Sequence, residues 1–193
     1  MKTEIPIANK EGNWTFDLNK DSIIFDVGGY IGDFTKSIYE KYGSIIYCFE
    51  PVVKYAESLK YKFSSYTNIK VFPFGIMDEN KSLLFYINKD KSSLIEVNGE
   101  ISYCEFRTLD DIMNAYSINF IDLIKLNIEG SEYSVLEDMI KKDLIQKCGN
   151  IIIQFHTSVP LYNERRDAII NELSKTHTCE WCSDFIWEYW KIK

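Results

Sequence analysis

The sequence has no cluster of five lysines or arginines, and its 22 basic side chains are outnumbered by 29 acidic ones. The net charge is −7, and no run of the sequence supplies a basic cluster. That argues against a nucleic-acid partner and against an anionic membrane, because both demand one. No apolar run is long enough for a signal peptide or a membrane span, so a cytoplasmic location is the default expectation. Internal repeats, low-complexity tracts and Pro/Gly/Ser linkers are also missing. One compact domain over residues 1–193 is therefore expected, with enough chain for a sizeable core. An even cysteine count is lacking too. Five cysteines without a secretory signal read as reduced thiols. Cys179-Glu-Trp-Cys182 is a lone CxxC with His177 upstream. A zinc site needs four ligands, and only Cys148 or His156 could complete this one. The two cysteines are read as packing residues of an aromatic tail, and no metal is expected.

What the sequence does contain is an alternation. Short apolar runs at 22–27, 44–49, 69–74, 121–128 and 150–155 are separated by amphipathic stretches at 33–42, 51–63, 108–116, 131 onward and 161–174. Pro51 suits a first helical turn, Pro73 should end strand pairing, and Ser131 can cap the helix that follows it. Residues 82–87 and 101–106 predict a small antiparallel excursion. The tail, 176–182 and 184–192, predicts a closing hairpin. Apolar strands alternating with helices imply an α/β fold, a Rossmann-like domain with helices on both faces of the sheet. Five such units and the hairpin make a seven-strand, mostly parallel sheet with a C-terminal antiparallel hairpin. In open sheets of this kind, ligands bind beyond the carboxyl ends of the strands.

Two features stand at those ends. After the first strand comes Gly28-Gly29-Tyr30-Ile31-Gly32, leading into a helix N-terminus where amide donors can face a ligand. After the second comes Glu50, at a distance suited to a ribose diol. The dinucleotide fingerprint G-x-G-x-x-G is not met. Asp26, on the strand just before the loop, would oppose a pyrophosphate. S-adenosylmethionine (SAM) carries no phosphate but a sulfonium and an ammonium, so acidic surroundings suit it better than a nicotinamide dinucleotide.

Four segments then carry a resemblance: D-V-G-G-Y-I-G-D-F-T, Y-C-F-E-P, T-L-D-D-I and I-D-L-I-K-L-N-I-E-G-S-E-Y. In this order and spacing, over residues 22–156, the chain resembles the FkbM-type family of SAM-dependent methyltransferases. The resemblance implies a class I methyltransferase fold, SAM as cofactor, and methylation of a hydroxyl, often on a saccharide or natural product. It implies that Asp26, Gly28, Gly29 and Gly32 form the SAM loop, that Thr35 matches the family's threonine on the next helix, that Glu50 takes the ribose, and that Asn127 belongs to the cofactor site. Two departures stand out. The family usually has alanine and asparagine where this chain has Gly29 and Tyr30, and aspartate where it has Asn127. Tyr30 must point away or shape the methionine pocket. Asn127 cannot act as a base and is a poor ligand for a hard cation.

Methylating a hydroxyl requires alignment, exclusion of water, and removal of a proton. His156, just past the fifth strand, is the first candidate base because imidazole titrates near neutral pH. Glu129 follows the fourth strand and could hold the SAM ammonium, orient the acceptor or act as the base. Glu132 is read as serving the helix dipole. Lys125 pairs with Asp122 or with an acceptor group, and periodicity does not choose between them. Trp181, Trp187, Tyr189 and Trp190 are read as core and edge cover. Loops 76–100 and 157–163 are expected to cover a small, saccharide-like acceptor such as a sugar or nucleotide-linked sugar. The competing functions are a nicotinamide-dependent oxidoreductase or epimerase and a non-catalytic SAM-binding protein. The sequence assigns no oligomeric state.

Overall fold

A computed structural model describes residues 15–87 and 100–193. Residues 88–99, about half of the first expected acceptor loop, lie outside the described residues. The elements follow in the order β1 (Ile23–Val27), α1 (Asp33–Tyr42), β2 (Ile45–Phe49), α2 (Val53–Lys62), β3 (Ile69–Phe72), β4 (Gly75–Ile76), β5 (Lys81–Ile87) and β6 (Glu100–Arg107). Then come α3 (Leu109–Ala115), β7 (Ile121–Leu126), α4 (Glu132–Lys141), β8 (Cys148–Ile153), α5 (Tyr162–Thr176), β9 (His177–Ser183) and β10 (Trp187–Ile192).

The seven-stranded sheet runs β3-β2-β1-β7-β8-β10-β9. The first five strands are parallel, and β10 inserts antiparallel between β8 and β9. The α/β class, the mostly parallel sheet and the C-terminal hairpin are thus as the sequence predicts. A second, three-stranded sheet, β4-β6-β5, contains the antiparallel excursion.

Central strands are buried on both faces, which is why they read as unbroken apolar runs. Alternate residues enter opposite cores. Phe25, Val27, Tyr47 and Phe49 pack with α3, α4 and α5 through Ile112, Leu136 and Leu173. Ile24, Ile46 and Cys48 pack with α1 and α2 through Ile38 and Leu59. Each fully buried side chain of this size contributes about 1.5–3 kcal/mol relative to exposure. Trp190 is buried in the first core, while Trp181 and Trp187 lie half-buried against the second, so the tail aromatics cover the sheet.

Local signals behave unevenly. Pro73 follows the last residue of β3, and Thr108 caps α3 by accepting from the Asp111 amide at 3.4 Å. Pro51 precedes α2 by two residues rather than opening it. Ser131 makes no side-chain cap: it sits in a helical conformation, and the Gly130 amide instead donates to Glu132 Oε2 at 2.9 Å. No helix among the described residues is long and apolar enough to cross a membrane.

Candidate functional site

Strands β2, β1, β7 and β8 end on one edge of the sheet, and the candidate residues gather there. The turn after β1 is wound tightly. Gly28 and Gly32 have φ of +89° and +80°, and Tyr30 has φ of +46°. The glycines answer to the protein's own packing. A Cβ on Gly28 would lie 2.2 Å from the Asn127 carbonyl oxygen, and one on Gly29 would lie 2.4 Å from Cys48 Sγ. One on Gly32 would lie 2.6 Å from Leu59 and 2.7 Å from Phe63.

The turn's amides are largely consumed inside the protein. Gly28 N and Gly29 N both donate to the Phe49 carbonyl (3.0 and 3.1 Å), Gly32 N to the Gly29 carbonyl (2.8 Å), and Tyr30 N to Glu50 Oε2 (2.8 Å). This corrects the expectation that the loop presents amide donors to a ligand. It also weighs against a dinucleotide, whose pyrophosphate would need those donors.

Glu50 is buried, with its other oxygen accepting from Val52 N at 2.9 Å. Burial raises its carboxyl above the ordinary range, and the two backbone donors only partly offset that. Each oxygen holds one donor and keeps acceptor capacity for another. The Tyr30 ring meets Tyr55 of α2 edge-on, 5.1 Å between centroids, so it is occupied by an α2 side chain.

Asp26 and Thr35 lie beneath the turn, both fully buried, with Thr35 Oγ1 donating to Asp26 Oδ2 at 2.6 Å. The other Asp26 oxygen meets Lys125 Nζ at 3.0 Å, and Lys125 also donates to the Gly28 carbonyl at 2.7 Å. Lys125 is therefore paired with Asp26. Asp122 instead accepts from Ile23 N at 2.7 Å. The charge argument drawn from Asp26 changes with this pairing, because its negative charge is matched on site. Opposite the turn, Asn127 N donates to the Val27 carbonyl at 3.3 Å. Its side-chain oxygen is buried without a hydrogen-bond partner.

At the far side stands an acid–imidazole–acid cluster. His156 Nδ1 lies 2.9 Å from Glu132 Oε1 and Nε2 lies 3.5 Å from Glu129 Oε2. The His156 amide also donates to Glu132 Oε1 at 2.7 Å, and Tyr133 Oη donates to the His156 carbonyl at 3.0 Å. Burial alone would lower the imidazole pKa. The bonds to Glu129 and Glu132 outweigh it and push it up to about 10. At neutral pH the ring is an imidazolium, so the expectation of His156 as a neutral base is redirected: the ring is a donor, and the partly exposed carboxylate it meets at Nε2 is Glu129. Glu129 is held at φ +53° and its side chain remains 27% exposed. Glu132 was read from sequence as a helix-dipole residue. It is fully buried and ties Gly130, the His156 backbone and the His156 ring together.

Two of these residues were open to detection. Asp26 is the one charged residue of β1, and Lys125 lies in the buried part of β7, whose other charge is Asp122; charges so placed must pair. Nothing in the sequence marks Glu132 as buried rather than solvated. Among the described residues no cluster of metal-ligating side chains occurs.

The chain matches the model of the methyltransferase FkbM domain over residues 26–179. It is 33% identical over 58 residues to "Probable methyltransferase-like protein 24" of Rattus norvegicus, covering 30% of this chain and 16% of that protein. It thus spans under a fifth of that relative's length. Among solved structures it is similar to methyltransferase FkbM from Methylobacillus flagellatus, with TM-score 0.62, 16% identity, and coverage of 96% of this chain and 47% of that one. It is also similar in fold to M. capricolum TrmK in complex with S-adenosylhomocysteine, with TM-score 0.50, 17% identity and coverage of 92% and 64%. An rRNA methylase from Streptococcus thermophilus shares the fold at TM-score 0.50, 11% identity and coverage of 91% and 89%. The family model spans most of the chain: the chain belongs to the methyltransferase FkbM domain family.

Proposed function

We propose that this chain is a SAM-dependent methyltransferase that methylates a hydroxyl of a small, uncharged polar acceptor, with saccharides the leading class. The observation that carries the cofactor reading is a juxtaposition. Glu50 at the end of β2 and the unpartnered Asn127 Oδ1 at the end of β7 flank the Gly28 turn at the end of β1. A ribose diol supplies donors to a carboxylate with spare acceptor capacity, and an ammonium supplies a donor to an orphaned buried oxygen. The residues present therefore fit SAM, with Glu50 holding the ribose and Asn127 the methionine end. When bound, SAM supplies an electrophilic methyl group on a sulfonium.

The chain's own residues supply the rest. Glu129 accepts the proton from the acceptor hydroxyl at its carboxylate oxygen, a role worth about 10²–10⁴-fold in rate. His156, held protonated by Glu132, orients that carboxylate from Nε2. The cluster of one imidazolium and two carboxylates carries a net negative charge, which favours a neutral acceptor over a phosphorylated one. Asp26 and Thr35 support the turn from below.

The direct test is calorimetric binding and thermal shift with S-adenosylhomocysteine. A ligand at 100 times its dissociation constant adds about 2.7 kcal/mol of stability. S-adenosylhomocysteine raises the melting temperature of the wild type, NAD(H) and NADP(H) do not, and Glu50→Ala abolishes the shift. An unmoved wild type would remove the cofactor reading. Acceptors are then screened by mass spectrometry for gain of one methylene across neutral glycans, nucleotide sugars and RNA. Transfer to RNA alone would overturn the saccharide assignment, and binding without any transfer would favour a non-catalytic protein.

A further inference from the structure

The buried lysine of β7 has a task that ion pairing alone does not explain. Asp26 and Lys125 face each other across the parallel β1–β7 ladder. Their side chains are 0% and 7% exposed. Asp26 is satisfied twice over, by Lys125 at Oδ1 and by Thr35 at Oδ2. Lys125 then spends a second donor on the Gly28 carbonyl, at 2.7 Å, shorter than its 3.0 Å contact with the carboxylate. Its ammonium also lies 5.7 Å from the Phe34 ring centroid. Replacing a buried ion pair by apolar residues is often neutral or stabilising, so the pair is poorly accounted for as a source of stability.

Its effect on the turn is specific. The Gly28 amide is bound to Phe49 of β2, on one side of β1. The Gly28 carbonyl is bound to a β7 side chain, on the other. The peptide units flanking Gly28 are thus fastened to both neighbours of β1. Glu50 comes from the first neighbour and Asn127 follows the second. Fixing Gly28 between them fixes the gap that the two side chains share. We propose that Lys125 is the positioning residue of the glycine turn: anchored by Asp26, it clamps the Gly28 carbonyl and so sets the turn's approach to the cofactor. This rests on the SAM reading above.

The test compares the wild type with Lys125→Met and with the double variant Asp26→Asn/Lys125→Met. The single variant leaves a buried carboxylate without a counterion and loses stability. The double variant removes both charges and keeps an acceptor for Thr35; Gly28 loses its clamp, and the amide NH2 introduced at position 26 faces the methionine side chain introduced at position 125. Its melting temperature without ligand is expected to stay within a few degrees of the wild type. Its dissociation constant for S-adenosylhomocysteine rises by about 10–100-fold, the loss of one charge-assisted bond's worth of preorganisation. KM for SAM rises with it, more than kcat falls. A double variant that binds like the wild type overturns the proposal and makes Lys125 a counterion only. A double variant that does not fold also overturns it, because the pair then serves the fold rather than the turn. Absence of binding by the wild type itself would instead sink the cofactor reading.

Discussion

Histidine 156 illustrates how far a side chain's chemistry is decided by what touches it. Glu132→Gln removes the fully buried carboxylate at Nδ1 and leaves Glu129 at Nε2. The imidazole pKa, pushed up to about 10 in the wild type, then falls toward the ordinary histidine value of about 6.5. Titration of the His156 ring by NMR reads this directly, and an unmoved pKa would show that Glu132 is not what holds the proton. The two histidines also give opposite pH dependences. His156 has a raised folded-state pKa, so its contribution is complete below its ordinary value and is lost as pH climbs through about 10. His177 is lowered by burial, although its ring donates from Nε2 to the Cys148 carbonyl at 2.8 Å. Its contribution is complete above its ordinary value and declines as pH falls through its lowered one. Urea unfolding across pH should show both limbs. His177→Gln should flatten the acid limb, and His156→Gln the alkaline one.

At the level of elements, the glycine turn and α2 are one packing unit. Gly29 faces Cys48 and Leu59, and Gly32 faces Leu59 and Phe63. Gly29→Ala forces a methyl into 2.4 Å of Cys48 Sγ and 3.1 Å of Leu59, an overpacking expected to destabilise by about 1–3 kcal/mol. Adding Cys48→Ala vacates the nearer obstacle and should recover part of that loss in a double-mutant cycle. Additive losses would place the strain in the backbone instead. This reading revises the meaning of the loop. The loop was expected to present amide donors to a ligand, yet its amides bond within the protein and the atoms that a Cβ would meet belong to the protein. Helix ends follow local chemistry in places: Gly43 closes α1 at φ +66°, and Thr108 opens α3. They were misread at Ser131, where the buried Glu132 supplies the acceptor.

Over the whole molecule, the C-terminal hairpin is fastened to the helical layer by charge. Arg166 of α5 donates to Glu188 of β10 at 2.6 Å and to Asp184 in the β9–β10 turn at 2.8 Å. Glu188 is 1% exposed and also accepts from the Trp190 indole at 3.0 Å. Removing one partner of such a pair strands the other in the interior. Arg166→Ala should therefore lower the unfolding free energy by about 3–5 kcal/mol, measured by denaturant titration. Arg166→Met with Glu188→Gln should lose much less. Equal losses in both variants would mean that packing, not charge, carries the contact.

The sequence by itself determined the sheet, its seven strands, the closing hairpin, and the edge on which the turn and Glu50 would meet. Those follow from apolar periodicity and from glycine and proline chemistry, which act over a few residues. Tertiary structure alone decided the charge states and partners. Asp26 meets Lys125 although 99 residues separate them, and Glu132 meets His156 across 24. Pairing at that range depends on strand register and on how deeply each side chain is buried. Glu132 and Glu129, brought to the ring by the fold and acting against the ring's own burial, turn a candidate base into a proton donor.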